Sequence, residues 1–397
     1  MSERELTPSR ALTEITNSIQ ALGLKALVRY VGAGDMVAIA ELYDNDKKLI
    51  ESGAGKGPDA LIGALAESLE HYGTFHCKQS QRSGLSCDVI AAQQDAQCDG
   101  LLASLPSTGE SLECFRLTAL DDEHELFVPC ILLHPDAGKN ETVAQETRFL
   151  SRYASNSGIA FGCTKAEALL HGALEVIERH LLSRFFLAVC AIRPAMDLYT
   201  PSKALLAQAL LHRPYALEAA SKLQIIIIRD ESGVYFSVAF PKMGPGDLHI
   251  SPIGSGCSLD ICIAVQRAVT EQFQSSTLYD VSEEASDRKT FDMLSSCDAL
   301  KNLIDFAPVK NLKLRVLEPF SKKLTSSVTQ QIELLQRKLK AIDRAIFHRT
   351  VAQYSNTNIV IQTYIPGLDR FNIIRNGQLV APQHILLNKT KTSAPDN

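Results

Sequence analysis

The chain has 397 residues, and its 40 Lys and Arg against 45 Asp and Glu give a formal net charge of −5. This balance gives no electrostatic reason to expect a nucleic-acid-binding surface. Hydrophobic residues make up 45% and charged residues 21%, so the composition excludes wholesale disorder. No apolar run approaches the roughly 18 residues that a membrane-spanning helix needs, and residues 1–8 lack the apolar core of a signal peptide. We therefore expect a soluble, cytoplasmic protein with no membrane partner.

The first 75 residues contain helix and strand signals in turn. A helical pattern covers residues 9–22, and short apolar runs at residues 25–31 and 36–43 predict strands, although such runs also fit buried helices. The glycine-rich residues 50–58 predict a loop. Pro58 and Asp59 suit the first turn of a helix that continues to about Tyr72.

The rest of the chain mixes strand candidates with long polar segments. Residues 78–112 are polar and give no clear assignment. Residues 277–300, rich in Ser, Asp and Glu, predict a mobile loop; residues 324–347 have a helical pattern, and the polar residues from 388 onward predict a frayed end. The strand candidates are residues 127–133, 225–229, 234–240 and 359–365, with a hairpin turn at residues 230–233.

The ten cysteines lie between Cys77 and Cys297, and no two of them have CxxC spacing. The spacing therefore supports neither a zinc cluster nor a disulfide framework. We expect reduced and mostly buried thiols.

One helical segment recurs three times along the chain. Each copy has an alanine, then an apolar residue, then small residues four or five positions on, and then a Glu followed three positions later by Glu or Gln. Each copy lies near a glycine-containing loop, at residues 53–57, 158–162 and 254–256. The copies begin at Ala60, Ala168 and Ala264, and their acidic pairs are Glu67 and Glu70, Glu175 and Glu178, and Glu271 and Gln274.

Convergence of the three helices would concentrate negative charge in one pocket. Residues three apart lie on one face of a helix, and small residues one turn earlier allow close packing. Five carboxylates and one carboxamide in one pocket would need cations, and oxygen-only ligation favours Mg²⁺ with phosphate oxygens. The alternative is that these pairs lie on solvated helix faces, where such patterns are common. Three matching copies favour the pocket.

The sequence lacks a complete copy of the other common catalytic and nucleotide-binding motifs. Gly53-Ala-Gly-Lys56-Gly resembles a phosphate-binding P-loop, but Ile50 stands where the first glycine belongs and Gly57 replaces the required Ser or Thr. No GxGxxG fingerprint follows a strand and opens a βαβ unit, and no GxSxG elbow is present. Cys163 is the remaining candidate nucleophile, and a packed loop thiol is the simpler interpretation.

Together these motifs resemble the YcaO family, ATP-dependent enzymes that activate backbone amides in peptides. The first and central motifs are most similar to the branch often encoded beside a TfuA partner. The matching runs are Gly53 through Glu70, Ser157 through Glu175-Val-Ile-Glu178-Arg179, Arg267 through Gln274, and Tyr364-Ile-Pro-Gly-Leu-Asp369.

The resemblance implies an α+β fold with mixed β-sheets and three acidic helices around a central nucleotide pocket, with ATP and Mg²⁺ as cofactors. It implies an N-terminal part at residues 1–75, a variable insertion at 76–145 and a core at 146–397. It assigns no catalytic residue. The implied metal ligands are Glu67, Glu70, Glu175 and Glu178. The residues implied to contact the nucleotide or order the carboxylates are Arg4, Glu167, Arg179, Arg267, Glu271 and Gln274.

Three departures from the family pattern bear on ATP turnover. Cys163 replaces the usual Asn, Ala11 stands where a small hydroxyl is usual, and Ser275-Ser-Thr replaces an Arg.

The leading hypothesis is ATP- and Mg²⁺-dependent O-phosphorylation of a backbone amide in a ribosomally made peptide precursor, giving a thioamide or an azoline. The alternative is a non-catalytic scaffold or leader-binding subunit with a degenerate nucleotide site. A role in modifying a ribosomal protein is a third hypothesis.

The resemblance also implies partners. The substrate would be a peptide precursor, recruited by a separate leader-binding or TfuA-like protein, because little room precedes the first motif for a fused leader-binding domain. Relatives often dimerise, which implies a homodimer. The chain lacks the proline-rich PxPxP ending common in azoline-forming members, which shifts the expectation modestly toward a thioamide.

Overall fold

The structure is a computed structural model that describes residues 2–78, 82–107, 109–121, 124–134, 145–310, 312–319, 326–355 and 357–392. Over these residues the strands are β1 (Lys25–Val31), β2 (Val37–Tyr43), β3 (Leu49–Lys56), β4 (Arg82–Ser86), β5 (Ser111–Ala119), β6 (Glu125–Pro129), β7 (Ile159–Gly162), β8 (Tyr199–Pro201), β9 (Leu223–Arg229), β10 (Tyr235–Pro241), β11 (Gly254–Ser258), β12 (Arg315–Leu317), β13 (Phe347–Gln353) and β14 (Ile359–Tyr364). The α-helices are α1 (Pro8–Ala21), α2 (Ala60–Phe75), α3 (Cys87–Ala92), α4 (Gly100–Ala103), α5 (Cys130–Leu133), α6 (Lys165–Val189), α7 (Lys203–Ala209), α8 (Pro214–Ser221), α9 (Ile261–Thr277), α10 (Val281–Ser295), α11 (Asp298–Asp305), α12 (Ala307–Lys310), α13 (Val328–Lys340) and α14 (Gln383–Thr392). Short 3₁₀ segments lie at Asp95–Cys98, Arg148–Tyr153 and Phe371–Asn376.

Within the described residues the strands form three separate sheets. The first is the antiparallel meander β1–β2–β3. The second has the order β11–β10–β9–β8–β12 and is antiparallel except for the parallel pair β8 and β12. The third has the order β4–β5–β13–β14–β7, with β6 also paired to β5. Helices packed on mixed sheets confirm the predicted α+β fold.

Each of the three repeat helices packs directly on the strand that precedes it, in the pairs β3–α2, β7–α6 and β11–α9. The strands contribute glycines and the helices contribute alanines, so the two backbones touch without side chains between them. A Cβ atom at Gly55 would overlap the Ala60 carbonyl oxygen, and one at Gly254 would overlap the Ala268 carbonyl oxygen. The repeat is therefore a strand-plus-helix unit, and the predicted glycine loops lie largely in its strands.

The central helix α6 is covered on several sides, by the strands β7, β11 and β14 and by α13. A helix with apolar residues around most of its circumference is a buried helix. Its N-terminus is capped by Thr164, whose hydroxyl accepts a hydrogen bond from the Glu167 N–H at 3.2 Å. This burial places the acidic pair of α6 deep in the fold.

Two predicted loops are regular elements, so those predictions are wrong. Residues 50–56 belong to β3, because the glycines that predicted a loop allow the strand to contact α2. Residues 281–295 and 298–305 form α10 and α11, whose polar sequences reflect exposed helix faces. Asp280 caps α10 by accepting hydrogen bonds from the N–H groups of Ser282 (2.8 Å) and Glu283 (3.1 Å).

Other boundaries shift. The helix predicted over residues 324–347 is α13, which begins at Val328 behind a capping box and ends at Lys340 before β13; residues 324 and 325 lie outside the described residues. The strand predicted over residues 127–133 ends at Pro129 and continues as α5. Helix α14 continues to Thr392 where fraying was predicted, and residues 393–397 lie outside the described residues. The predicted helix at 9–22 and the strands at 25–31, 36–43, 225–229, 234–240 and 359–365 are confirmed.

Residues 78–112, for which the sequence gives no clear assignment, contain β4, α3, α4 and the start of β5 in their described part. The division at residues 75 and 145 stays a prediction. No helix in the described ranges combines the length and apolar character needed to cross a lipid bilayer.

Candidate functional site

The acidic residues of α2, α6 and α9 lie close enough to perturb one another. Burial, and then the charges of Glu175 and Glu67, raise the pKa of Glu70 well above its ordinary value. Burial and then Glu271 raise the pKa of Glu178. Burial raises the pKa of Glu175 to about 7. The structure therefore brings the five glutamates of the three repeats into one pocket, with Glu67 the most exposed of them at its rim.

The second residue of each acidic pair forms a hydrogen bond with the strand of another repeat unit. Helix α2 binds β7, α6 binds β11 and α9 binds β3, so the three units close a ring around the pocket. The third pair ends in the carboxamide of Gln274, because its partner is a backbone carbonyl, which needs an N–H donor that a carboxylate cannot supply. The three bonds run from the Phe161 N–H to Glu70 (3.0 Å), from the Ser255 hydroxyl to Glu178 (2.6 Å), and from the Gln274 side-chain amide to the Ala54 carbonyl (2.9 Å).

Two cationic side chains lie among the carboxylates. Lys56 Nζ is 2.6 Å from Glu271 Oε2, and together with Arg179 it lowers the pKa of Glu271 against the opposing effect of burial. The Arg179 guanidinium is 3.7 Å from Glu175 and 3.9 Å from Glu178. Burial disfavours its charge, but the carboxylates outweigh burial and raise its pKa. Among the described residues, no three His, Cys, Asp or Glu side chains are arranged as a ready metal site.

The donor set nevertheless fits a magnesium–nucleotide complex. Mg²⁺ takes oxygen ligands and keeps water or phosphate oxygens in its octahedron. A carboxylate such as Glu175, whose pKa is raised by burial, is stabilised as an anion when a divalent cation binds beside it. The residues that would hold the metal are Glu67, Glu70, Glu175 and Glu178, with Glu271 beside them.

The N-terminal segment lies over the start of α6 and is held there by Glu167. This carboxylate is buried and accepts hydrogen bonds from the N–H groups of Glu5 (2.6 Å), Leu6 (3.3 Å) and Cys163 (3.1 Å). Arg4 is half exposed, and its guanidinium is 3.9 Å from Glu167. Two of the six residues that the resemblance implies at the nucleotide or around the carboxylates thus meet, with Glu167 holding the segment that carries Arg4.

Arg267 also forms an ion pair with the N-terminal segment. Its guanidinium lies 2.6 Å from the buried Glu3 carboxylate and donates a hydrogen bond to the Cys257 carbonyl at 2.9 Å. Sequence reasoning did not assign Glu3, Ser255 or Lys56 to the site. Lys56 had a usable signal, because it lies in the glycine-rich run that fails as a P-loop, whereas Glu3 and Ser255 had none.

Cys163 and His171, which lie near the pocket, are electrically neutral. Burial, with the neighbouring Glu167, raises the pKa of Cys163 to about 11, so its thiol stays protonated and is a poor nucleophile. Burial, and then Arg267 and Arg4, lower the pKa of His171 well below its ordinary value. The packed-thiol interpretation of Cys163 is therefore favoured.

The raised pKa of Glu175 predicts a pH-dependent effect of removing its charge. We expect Glu175→Gln to raise the free energy of unfolding by roughly 3 kcal/mol at about pH 8 in EDTA. Because the pKa of Glu175 is raised from 4.5 to about 7 in the fold, its protonation stabilises the fold fully below pH 4.5, and this stabilisation is lost as pH rises through 7. Glutamine is neutral at every pH, so the variant avoids this loss. Urea unfolding of parent and variant between about pH 5 and pH 8 measures it. The difference in the free energy of unfolding between variant and parent should shrink as the pH falls. A difference that does not depend on pH would contradict the raised pKa of Glu175.

Comparison with known proteins identifies the family. The sequence matches the family described as YcaO cyclodehydratase, ATP- and Mg²⁺-binding, over residues 53–369. Comparison with curated proteins gives no significant sequence match.

Solved structures share the fold over nearly the whole chain. YcaO from Methanopyrus kandleri bound with AMPPCP and Mg²⁺ is 16% identical, with a TM-score of 0.60 over 96% of each chain. A heterocyclase in complex with substrate and cofactor is 15% identical, with a TM-score of 0.61 over 92% of this chain and 53% of the other. The E. coli microcin synthetase McbBCD complex with pro-MccB17 bound is 13% identical, with a TM-score of 0.54 over 86% of each chain.

The family match begins at Gly53, inside β3, and ends at Asp369, after the Pro-Gly-Leu segment. The matched residues thus contain the three repeat helices and every hydrogen bond that joins the three units around the acidic pocket. The chain belongs to the YcaO family, whose members bind ATP and Mg²⁺.

Proposed function

We propose that the chain activates a backbone amide of a ribosomally made peptide precursor by O-phosphorylation, giving a thioamide or an azoline. The observation that supports this most is the convergence of five carboxylates with Lys56 and Arg179 in one pocket. ATP with Mg²⁺, when bound, supplies the γ-phosphoryl group and the charge neutralisation that phosphoryl transfer requires. The family's description as an ATP- and Mg²⁺-binding cyclodehydratase supports the same class of reaction.

The residues of the pocket divide into two groups by charge. Glu67, Glu70, Glu175 and Glu178 offer oxygen ligands to the metal. The cations Lys56, Arg179, Arg267 and Arg4 border the same region and suit negative charge that develops on phosphate and amide oxygens. Glu167, Gln274 and Glu271 keep these groups in place through the hydrogen bonds and ion pair described above.

The nucleophile decides the product. An external sulfide equivalent gives a thioamide, and a thiol or hydroxyl side chain of the substrate gives an azoline. In both cases the nucleophile bonds to the amide carbon, and the amide oxygen leaves as phosphate together with the transferred phosphoryl group. The packed thiol of Cys163 takes no part.

An isotope experiment tests the proposal. The chain is incubated with ATP, Mg²⁺ and precursor peptides encoded beside its gene, carrying heavy oxygen in the backbone amides, with and without sulfide. We expect the label to appear in inorganic phosphate, and the peptide either to lose one water or to exchange one oxygen for sulfur. Unlabelled phosphate, or ATP that is not consumed with any peptide, would contradict the proposal.

We propose a peptide precursor as the substrate and a separate leader-binding or TfuA-like protein as the partner. The E. coli microcin synthetase relative, solved as a McbBCD complex with pro-MccB17 bound, supports a partner-assisted reaction.

The second candidate function is a non-catalytic scaffold with a degenerate nucleotide site. Cys163 favours this candidate, because it places a buried thiol where the family pattern has the side-chain amide of an asparagine. Precursor binding without ATP turnover would favour this candidate.

A further inference from the structure

Residues 2–6, here called the N-terminal strap, lie across the fold outside any helix or strand. Near the start of the strap, the Gln331 side-chain amide of α13 donates a hydrogen bond to the Ser2 carbonyl at 2.7 Å. Near its end, the Glu167 carboxylate of α6 accepts hydrogen bonds from two N–H groups of the strap. The strap is therefore fixed at both ends, and the side chains between these ends are held in place.

The Glu3 carboxylate of the strap is buried against the unit formed by β11 and α9, and 8% of this residue is exposed. One carboxylate oxygen accepts a hydrogen bond from the Ser258 hydroxyl at the end of β11. The other oxygen lies 2.6 Å from the Arg267 guanidinium of α9. The Ser258 hydroxyl in turn accepts a hydrogen bond from the Asp260 N–H at 3.0 Å. Glu3 is thus a fixed anion against which the guanidinium is oriented.

Arg267 is held at two points and still has N–H groups to offer. Its second contact is the hydrogen bond to the Cys257 carbonyl at 2.9 Å. A planar guanidinium that is held at two of its nitrogens has a defined orientation. The guanidinium carries more N–H groups than these two contacts use, and no other acceptor within the described ranges contacts them. The remaining N–H groups are available to an anionic ligand.

The strap and Arg267 come together near His171 of α6. His171 follows Glu167 by four residues, so the two side chains lie on one face of the helix. Burial lowers the pKa of this histidine well below its ordinary value, and three nearby cations add to the effect, namely Arg267, Arg4 and Lys56. The Nδ1 atom of His171 is buried and has no hydrogen-bond partner in the described part of the chain. An unpaired ring nitrogen among three cations indicates the position of an anionic ligand.

We propose that Glu3 is a positioning residue for nucleotide binding, which holds the Arg267 guanidinium in the orientation that receives the phosphate chain beside His171. The strap brings Arg4 to the same place. The inference rests on the proposed function and adds to it a residue outside the three repeats on which phosphate binding depends. Glu3 does not compete with the phosphates, because Ser258 fixes it and the guanidinium keeps further donors free.

The test is calorimetric titration of the full chain with AMPPCP in Mg²⁺, with thermal unfolding to confirm that each variant is folded. Glu3→Ala removes the carboxylate and releases the guanidinium, so that nucleotide binding must order it. We expect AMPPCP affinity to fall about 10-fold, which is the effect of losing one hydrogen bond to a charged group. Glu3→Gln keeps an acceptor oxygen for Arg267, and we expect its affinity to stay within about 3-fold of the parent.

A second background shows whether Glu3 acts through Arg267. In an Arg267→Met chain no guanidinium is left to position, so adding Glu3→Ala should not weaken AMPPCP binding further. The control for charge is Glu231→Ala, which removes an exposed carboxylate from the turn between β9 and β10. We expect this control to bind AMPPCP as the parent does.

Three results would overturn this inference alone, because in each of them the parent binds AMPPCP. The first is unchanged or tighter binding by Glu3→Ala, and tighter binding is the result that competition for Arg267 gives. The second is a loss in Glu3→Gln as large as the loss in Glu3→Ala. The third is a further 10-fold loss when Glu3→Ala is added to Arg267→Met. Failure of the folded parent to bind AMPPCP would overturn the proposed function, and this inference with it.

Discussion

Replacing Glu175 and Glu178 together with glutamine should abolish Mg²⁺-dependent nucleotide binding while the chain stays folded. The two carboxylates are the acidic pair of the central helix and lie within 4 Å of Arg179. We expect AMPPCP affinity to fall about 100-fold or more, because even loss of a second-shell partner of a metal costs roughly 10- to 100-fold. Calorimetric titration of parent and variant measures the loss, and thermal unfolding confirms the fold.

The control for this variant must change net charge equally. Glu218 and Glu333 are exposed on α8 and α13, so the double substitution Glu218→Gln/Glu333→Gln removes two negative charges away from the pocket. We expect it to bind AMPPCP as the parent does. If both double variants lose affinity equally, overall charge rather than the pocket governs binding, and the site assignment is wrong.

Gly55→Ala should destabilise the fold by about 3 kcal/mol or more, or prevent folding. Its Cβ atom would overlap the Ala60 carbonyl oxygen and the Ala64 N of α2. Both atoms are backbone, so no side-chain rotation can relieve the overlap, and α2 must move away from β3. The free energy of unfolding from urea titration measures the effect.

Gly84→Ala provides the comparison. Gly84 lies in β4, where a Cβ atom would have only the Glu113 side chain at 3.6 Å as a neighbour. We expect this variant to change stability by less than about 1 kcal/mol, since the glycine there has no close backbone neighbour. Equal stability of Gly55→Ala and the parent would show that the close contact of strand and helix is not needed.

The sequence reveals the acidic pairs but not the complete repeat. Helical spacing places Glu175 and Glu178 on one face, and this depends only on local geometry. The strand β3 before α2 is not predicted, because Gly53 and Gly55 have the composition of a loop and their role becomes visible only against the backbone of α2.

The ring of hydrogen bonds between the units could not be predicted for a similar reason. Spacing shows which face of α9 carries Gln274, but only the tertiary arrangement brings that face to the Ala54 carbonyl of β3. Lys56 pairs with Glu271 across 215 positions of sequence, and no local pattern encodes such a contact. Composition predicts a loop at the polar helix α10, because an exposed helix and a loop share the same composition.

The most direct test of the central claim is calorimetric titration of the parent chain with AMPPCP, once in excess Mg²⁺ and once in EDTA. The carboxylate pocket predicts saturable binding in Mg²⁺ and none in EDTA, because the five glutamates repel the phosphates when no divalent cation lies between them. Equal binding in both buffers, or none in either by a folded chain, would contradict the assignment of the pocket to a magnesium–nucleotide complex.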